Sequence, residues 1–171
     1  MSLFHIVLGL VVLQRLGELA VAARNTRDLR AAGAIELDAG GYPLFVLLHA
    51  AWLLSLALMV PASAAPSWPL LAVFAALQLG RLWVIASLGR YWTTRIIVPP
   101  DRPPVSRGPY RFLRHPNYLI VVAEIAVLPL AFGAIGIATV FSAANLALLA
   151  RRVVIEERAL APRRPVGAQS P

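Results

Sequence analysis

Two polar runs stand out in a chain that is otherwise greasy: RGPYRFLRHPNYL, residues 107–119, and RRVVIEERAL, residues 151–160. The first brings arginines, Tyr110, Tyr118 and His115 together with Pro109 and Pro116; the second carries Arg152 four residues before Glu156, with Glu157 beside it. Pro116 suits the first position of a helix, because the backbone N–H it lacks would have no partner there, and the amides that follow are open to an anion. Arg114 adds to that pull. Tyr110 and Tyr118 offer flat faces to a ring, and Glu156 and Glu157 offer acceptors to hydroxyls or an ammonium group. The proline-rich PPDRPPVSRGP is stiff enough to strap over a ligand. Together these residue types suit a small molecule with a ring, hydroxyls and charges of both signs. The blander explanation is that Arg, Tyr and Pro are common where helices leave a bilayer, with Arg152 and Glu156 a weak surface pair. Whether the two runs meet decides between them.

Meeting depends on the helices. Of the 171 residues, 59 % are hydrophobic and the mean hydropathy is +0.73, above the roughly 45–50 % apolar usage of soluble domains. A helix of about 20 apolar residues crosses a bilayer; Ser2 to Ala23, Tyr42 to Pro61 and Ser67 to Leu88 qualify. Tyr118 to Ala150 is too long for one ordinary span but holds Pro129, Gly133 and Gly136 at its middle, which reads as a helical hairpin. The expected fold class is therefore all-α: an integral membrane bundle of about five transmembrane helices whose C-terminal hairpin carries a pocket at its cytoplasmic end. Residues equidistant from the hairpin turn share a depth, so Asn117 and Tyr118 face the level of Arg152, and Arg114 that of Glu156. Asn145, Arg152 and Glu156, spaced seven and four apart, fall on one helical face at about 100° per residue. A pocket between the two runs is then favoured over two unrelated surface patches.

All 16 basic residues are arginine, against 8 acidic residues, for a net charge of +8. Apart from Arg15 and Arg81 inside the spans, they fall after the first span (Arg24, Arg27, Arg30), between the third and fourth (Arg90 to Arg114) and after the fifth (Arg151 to Arg164), whereas the connections PASAAPS and FGAIG carry none. Five spans with charge on alternate sides place the N-terminus outside and the C-terminus in the cytoplasm of a plasma or inner membrane. Topology thus accounts for the basic loops, and nucleic acid is not an expected partner. A cleaved signal peptide is disfavoured because MSLFH lacks a positive leader and Arg15 and Glu18 interrupt the apolar run. Residues 1–161 are read as one membrane domain, followed by a disordered tail over 162–171.

Within the spans, Gln14, Arg15 and Glu18 share a face, and Gln78 and Arg81 repeat the spacing. These charges are expected to pair and hold helices together rather than to do chemistry. Glu124, on the face of Asn117, is expected to wall the pocket, and His49 to be an interfacial or interhelical hydrogen bonder rather than a ligand. The chain has no Cys, and His5, His49 and His115 lack ligand spacing, so no metal site is expected.

At these residues the chain resembles a known family. SRGPYRFLRHPNYL, followed after a hairpin-length apolar stretch by RRVVIEERAL, resembles the isoprenylcysteine carboxyl methyltransferase family of membrane enzymes. ARNTRDLRAAGAIE and LGRYWTTRIIVPP resemble its bacterial branch linked to type III polyketide synthases, whose members O-methylate alkylpyrones and alkylresorcinols. The resemblance covers nearly the whole chain. It implies S-adenosylmethionine as methyl donor, with Arg102, Pro103, Pro104, Val105, Tyr110, His115, Pro116, Asn117, Tyr118, Glu156 and Glu157 around that cofactor. Arg152 matches the family's substrate-side arginine. Many relatives carry Gly soon after the motif Tyr, where this chain has Leu119 and Ile120. A lipophilic small molecule and membrane lipids are the implied partners.

A carboxylate acceptor needs only orientation, which Arg152 supplies. An enol or phenol must lose a proton; Arg152 or Arg114 would lower its pKa, and Glu124 or Glu156 would accept the proton. Two further classes compete: an NADPH-dependent membrane reductase built on the same RHPxY hairpin, and a non-catalytic transporter or scaffold, against which the concentration of polar residues at one surface argues.

Overall fold

The computed structural model describes residues 2–100 and 105–160. In chain order it comprises α1 (Leu3–Ala31), β1 (Ile35–Leu37), α2 (Tyr42–Met59), α3 (Trp68–Leu88), a 3-10 turn (Gly89–Tyr91), β2 (Ile96–Val98), a second 3-10 turn (Gly108–Arg111), α4 (Pro116–Ala131) and α5 (Ile135–Leu160). Helix starts are set locally. Ser2 caps α1 by accepting from the His5 amide, and Pro43, Pro69 and Pro116 stand in the first turns of α2, α3 and α4, where a missing N–H costs nothing.

Four helical stretches, Leu3–Ala31, Tyr42–Met59, Trp68–Tyr91 and Ile135–Arg158, are long and apolar enough to cross a membrane. Leu10, Leu13, Leu47, Leu54, Leu58 and Leu79 lie exposed on the outer surface, as lipid contact requires. The fifth expected span, α4, has only 16 residues, about 24 Å at 1.5 Å per residue, against a hydrocarbon core of about 30 Å. The first span also differs from expectation. Apolar character ends at Ala23, but α1 runs on to Ala31 because the polar stretch that follows is rich in the good helix formers Ala, Arg and Leu.

The hairpin forms as expected. α4 packs mainly on α3 and α5, and α2 on α5, while α1 is more loosely attached. Gly133 makes the turn at φ +74°, a conformation open to glycine. Pro129 lies in the last turn of α4 and Gly136 in the first turn of α5. The apolar core gathers at this end: Phe4, Leu8, Trp52, Leu56, Phe74, Ile125, Leu128 and Phe132 are buried together, and Phe4 meets Phe132 edge to face at 5.0 Å. At the opposite end the helices part around a cavity.

A small antiparallel ribbon joins the bundle, which the all-α expectation did not contain. β1 pairs with β2 in the register Ile35 with Val98 and Leu37 with Ile96. Glu36 at its centre is held by Arg30 and Arg95, and the Asp38 carboxylate takes both Nη atoms of Arg151 at 2.9 and 2.5 Å. The ribbon is thereby tied to the ends of α1 and α5.

Candidate functional site

The segment leading into α4 is fixed before the site begins. Gly108 has φ +60°, and a Cβ there would overlap the side chain of Ser87 on α3, so two separate constraints require glycine. The neighbouring Arg107 Nε donates to the Ser87 carbonyl at 2.7 Å. Pinned there, the chain delivers His115 as the residue preceding α4 and Pro116 as its first residue.

Across the hairpin the two polar runs meet. The Tyr118 hydroxyl donates a short hydrogen bond to Glu156 and accepts from Arg152 Nε at 2.9 Å. His115 Nε2 donates to Glu157 at 2.8 Å, Arg114 approaches Glu157 at 3.8 Å, and the His115 ring stacks on Tyr118 at 5.2 Å and 11°. Arg152 also donates from Nη2 to the Thr94 carbonyl at 3.0 Å and lies over the Phe45 ring at 5.1 Å. One guanidinium therefore joins α2, the segment before β2, α4 and α5. Burial, with the Glu156 charge nearby, pushes the Tyr110 phenol well above its usual value, so Tyr110 keeps its proton and acts as a donor.

These side chains border a cavity of about 1080 Å³, slightly above the roughly 300–1,000 Å³ range of small-molecule sites. Val105, Tyr110, Arg114, His115, Asn117, Tyr118, Arg152, Glu156 and Glu157 all line it. Pro116 and Glu124 do not; Pro116 is buried at the helix start, and Glu124 is turned into the bundle. Arg102, Pro103 and Pro104 lie outside the described residues. Asn145, on the expected stripe with Arg152 and Glu156, is fully buried, does not line the cavity, and has no hydrogen-bond partner among the described residues.

Glu124 belongs to a second, inner cluster. Its Oε1 accepts from Gln78 Nε2 at 2.8 Å; its Oε2 meets Arg15 at 2.8 Å and Arg81 at 3.3 Å. Glu18 accepts from Gln14 at 2.9 Å and pairs with Arg15 at 2.7 Å and Arg81 at 3.1 Å. Two arginines and two glutamates from α1, α3 and α4 thus neutralise one another, and Arg81 reaches Asn117 at 3.3 Å. The expectation of local pairs is right in kind and too narrow in extent, because the decisive partner lies on another helix. Arg15, Glu18 and Arg81 form the inner wall of the cavity.

The cavity residues that the motif reading overlooked come from α2 and the segment around β2: Tyr42, Phe45, His49, Thr94 and Arg95. Tyr42, Phe45 and His49 are three and four apart, one face of a helix. That spacing was the available signal in an otherwise apolar run.

The family model described as "Isoprenylcysteine carboxyl methyltransferase (ICMT) family" matches residues 70–162, more than half of the chain and all of the hairpin. A protein of Bacillus subtilis (strain 168) described as "Uncharacterized protein YpbQ" is 36 % identical over 162 residues, covering 92 % of this chain and 96 % of that protein. No solved structure matches the chain.

Proposed function

Since the chain belongs to the isoprenylcysteine carboxyl methyltransferase family, we propose that it is an integral membrane enzyme that moves a methyl group from S-adenosylmethionine to an oxygen of a lipophilic acceptor. The observation that carries this reading is the meeting of His115 and Tyr118 with Arg152, Glu156 and Glu157 at one end of a cavity whose other walls are apolar helix faces. The donor set suits the cofactor. Glu156 and Glu157 would hold its ammonium group, Arg114 and the first amides of α4 its carboxylate, and the Tyr110 ring and the stacked His115–Tyr118 pair its adenine. Val105 lines the same cavity, and the resemblance assigns Arg102, Pro103 and Pro104 to the same wall. When bound, this cofactor supplies an electrophilic methyl group.

The protein's part is to hold an acceptor oxygen in line with that methyl and to keep water away. Arg152, stacked on Phe45 and bonded to Tyr118, is placed to orient an anionic acceptor oxygen. The acceptor is a carboxylate or an enol or phenol on a lipid tail, such as an alkylpyrone, an alkylresorcinol or a prenylcysteine; the tail would lie along Val12, Leu16, Val46 and Leu53 of α1 and α2, which line the cavity. ARNTRDLRAAGAIE and LGRYWTTRIIVPP, the stretches resembling the polyketide-associated branch, support the first two. The arginine-rich connections, all on alternate sides of the expected spans, support a cytoplasmic C-terminus and cavity mouth.

Two measurements test the reading. Calorimetry on the detergent-solubilised protein should show S-adenosylmethionine binding and no NADPH binding. Mass spectrometry of lipid extracts from cells with and without the protein should show one lipid heavier by a methylene. Preference for NADPH, or extracts that do not differ, removes the proposal.

A further inference from the structure

His49 stands on α2 one turn deeper than Phe45, on the wall of the same cavity. Its Nδ1 lies 2.8 Å from the Phe45 carbonyl oxygen. A carbonyl oxygen only accepts, so the neutral ring carries its proton on Nδ1, and Nε2 presents a bare lone pair. No hydrogen bond engages Nε2 among the described residues. The carboxylates of the neighbouring cluster, Glu18 and Glu124, are by contrast taken up by Arg15 and Arg81.

We infer that His49 is the general base for hydroxyl acceptors: its Nε2 takes the proton of a phenol or enol as the oxygen is methylated. This rests on the methyl-transfer reading above. The O–CH3 bond forms as the CH3–S bond breaks and its electron pair stays on sulfur. The acceptor proton passes to Nε2, so the positive charge of the sulfonium ends on the imidazolium. The cavity that His49 borders leads the proton back to water. Arg15 from α1 and Glu124 from α4 act electrostatically on His49, and the other charged groups on the same cavity wall include Glu18 from α1, Arg81 from α3 and Arg152 from α5. A carboxylate acceptor has no proton to lose and does not need this base.

The test compares a 5-alkylresorcinol with an alkylbenzoic acid of equal chain length, using wild type and His49→Gln in detergent. Removing a general base costs about 10²–10⁴-fold. The variant should therefore lose at least about 100-fold in kcat on the resorcinol, with KM little changed, and keep its rate on the benzoate and its calorimetric binding of S-adenosylmethionine. Independently of any variant, ¹⁵N imidazole NMR of the wild type should show the Nδ1–H tautomer, and adding the resorcinol without methyl donor should perturb Nε2. An equal loss on both acceptors, an unchanged resorcinol rate or an Nε2–H tautomer overturns the inference and leaves methyl transfer standing. Wild type that binds S-adenosylmethionine but methylates neither probe sinks the inference for these acceptor classes; wild type that does not bind it sinks the underlying reading as well.

Discussion

The inner cluster around Glu124 and the mouth cluster around Tyr118 draw on the same chemistry, arginine against carboxylate with a neutral polar neighbour, and differ in what is left over. Inside, each carboxylate oxygen of Glu18 and Glu124 meets an arginine or glutamine, and the Glu124 side chain is 2 % exposed. At the mouth, Glu156 is 27 % and Arg114 59 % exposed, and the groups border open space. Breaking a buried pair leaves an uncompensated charge and is costly, which suits a group that holds helices together. A half-open pair exchanges partners at little cost, which suits a group that must grip and release a ligand. The number of charges is similar in both places; spare bonding capacity separates a strut from a site.

The sharpest way to break that contrast is Glu124→Ala. With Arg15 and Arg81 stranded, it should lower unfolding stability by about 3–5 kcal/mol, read by denaturation in mixed micelles. A variant that stays stable but transfers no methyl group would instead move Glu124 into the chemistry. Arg152→Ala should shift the balance the other way: methyl transfer falls about 100-fold or more, roughly 2.7 kcal/mol at the barrier, while stability drops by about 1.5–3 kcal/mol, less than for Glu124→Ala. Radiolabelled transfer from S-adenosylmethionine measures the first and the same micelle titration the second; an unchanged rate removes Arg152 from the reaction. Tyr118→Phe keeps the ring stacked on His115 and deletes the hydroxyl between Arg152 and Glu156, so a smaller rate loss of about tenfold, near 1.4 kcal/mol, is expected. Arg151→Ala gives the baseline. Its pair with Asp38 belongs to neither cluster and Arg151 is half exposed, so stability should change by less than about 1 kcal/mol and transfer not at all.

Much of this was legible in the chain. Pro116 marked a helix start, Gly133 marked a turn, and equal distance from that turn put Tyr118 level with Arg152 and Arg114 level with Glu156; Tyr118 does meet Arg152, while Arg114 approaches Glu157, one residue further on. Hairpin contacts are local in sequence once the turn is known. Contacts between distant helices are not: Arg15 and Glu124 are 109 residues apart, and nothing in either neighbourhood names the other, which is why Glu124 was expected on the pocket wall. The ribbon escaped notice because strands of three residues are too short to show alternation. Phe45 was hidden in an apolar span whose hydropathy dominated the reading, and His49, expected to bond at the interface or between helices, bonds within α2 to the Phe45 carbonyl instead.

The shortness of α4 bears on the surrounding lipid. A helix of 16 residues beside a 26-residue neighbour leaves the headgroup layer no full-height wall to meet at the His115 corner. Acyl chains must compress there to cover it, at a fraction of a kcal/mol per ångström of mismatch. If the proposed lipophilic acceptor reaches the cavity from the bilayer, such a dimple would shorten the distance it must rise, and bilayer thickness would then tune its access.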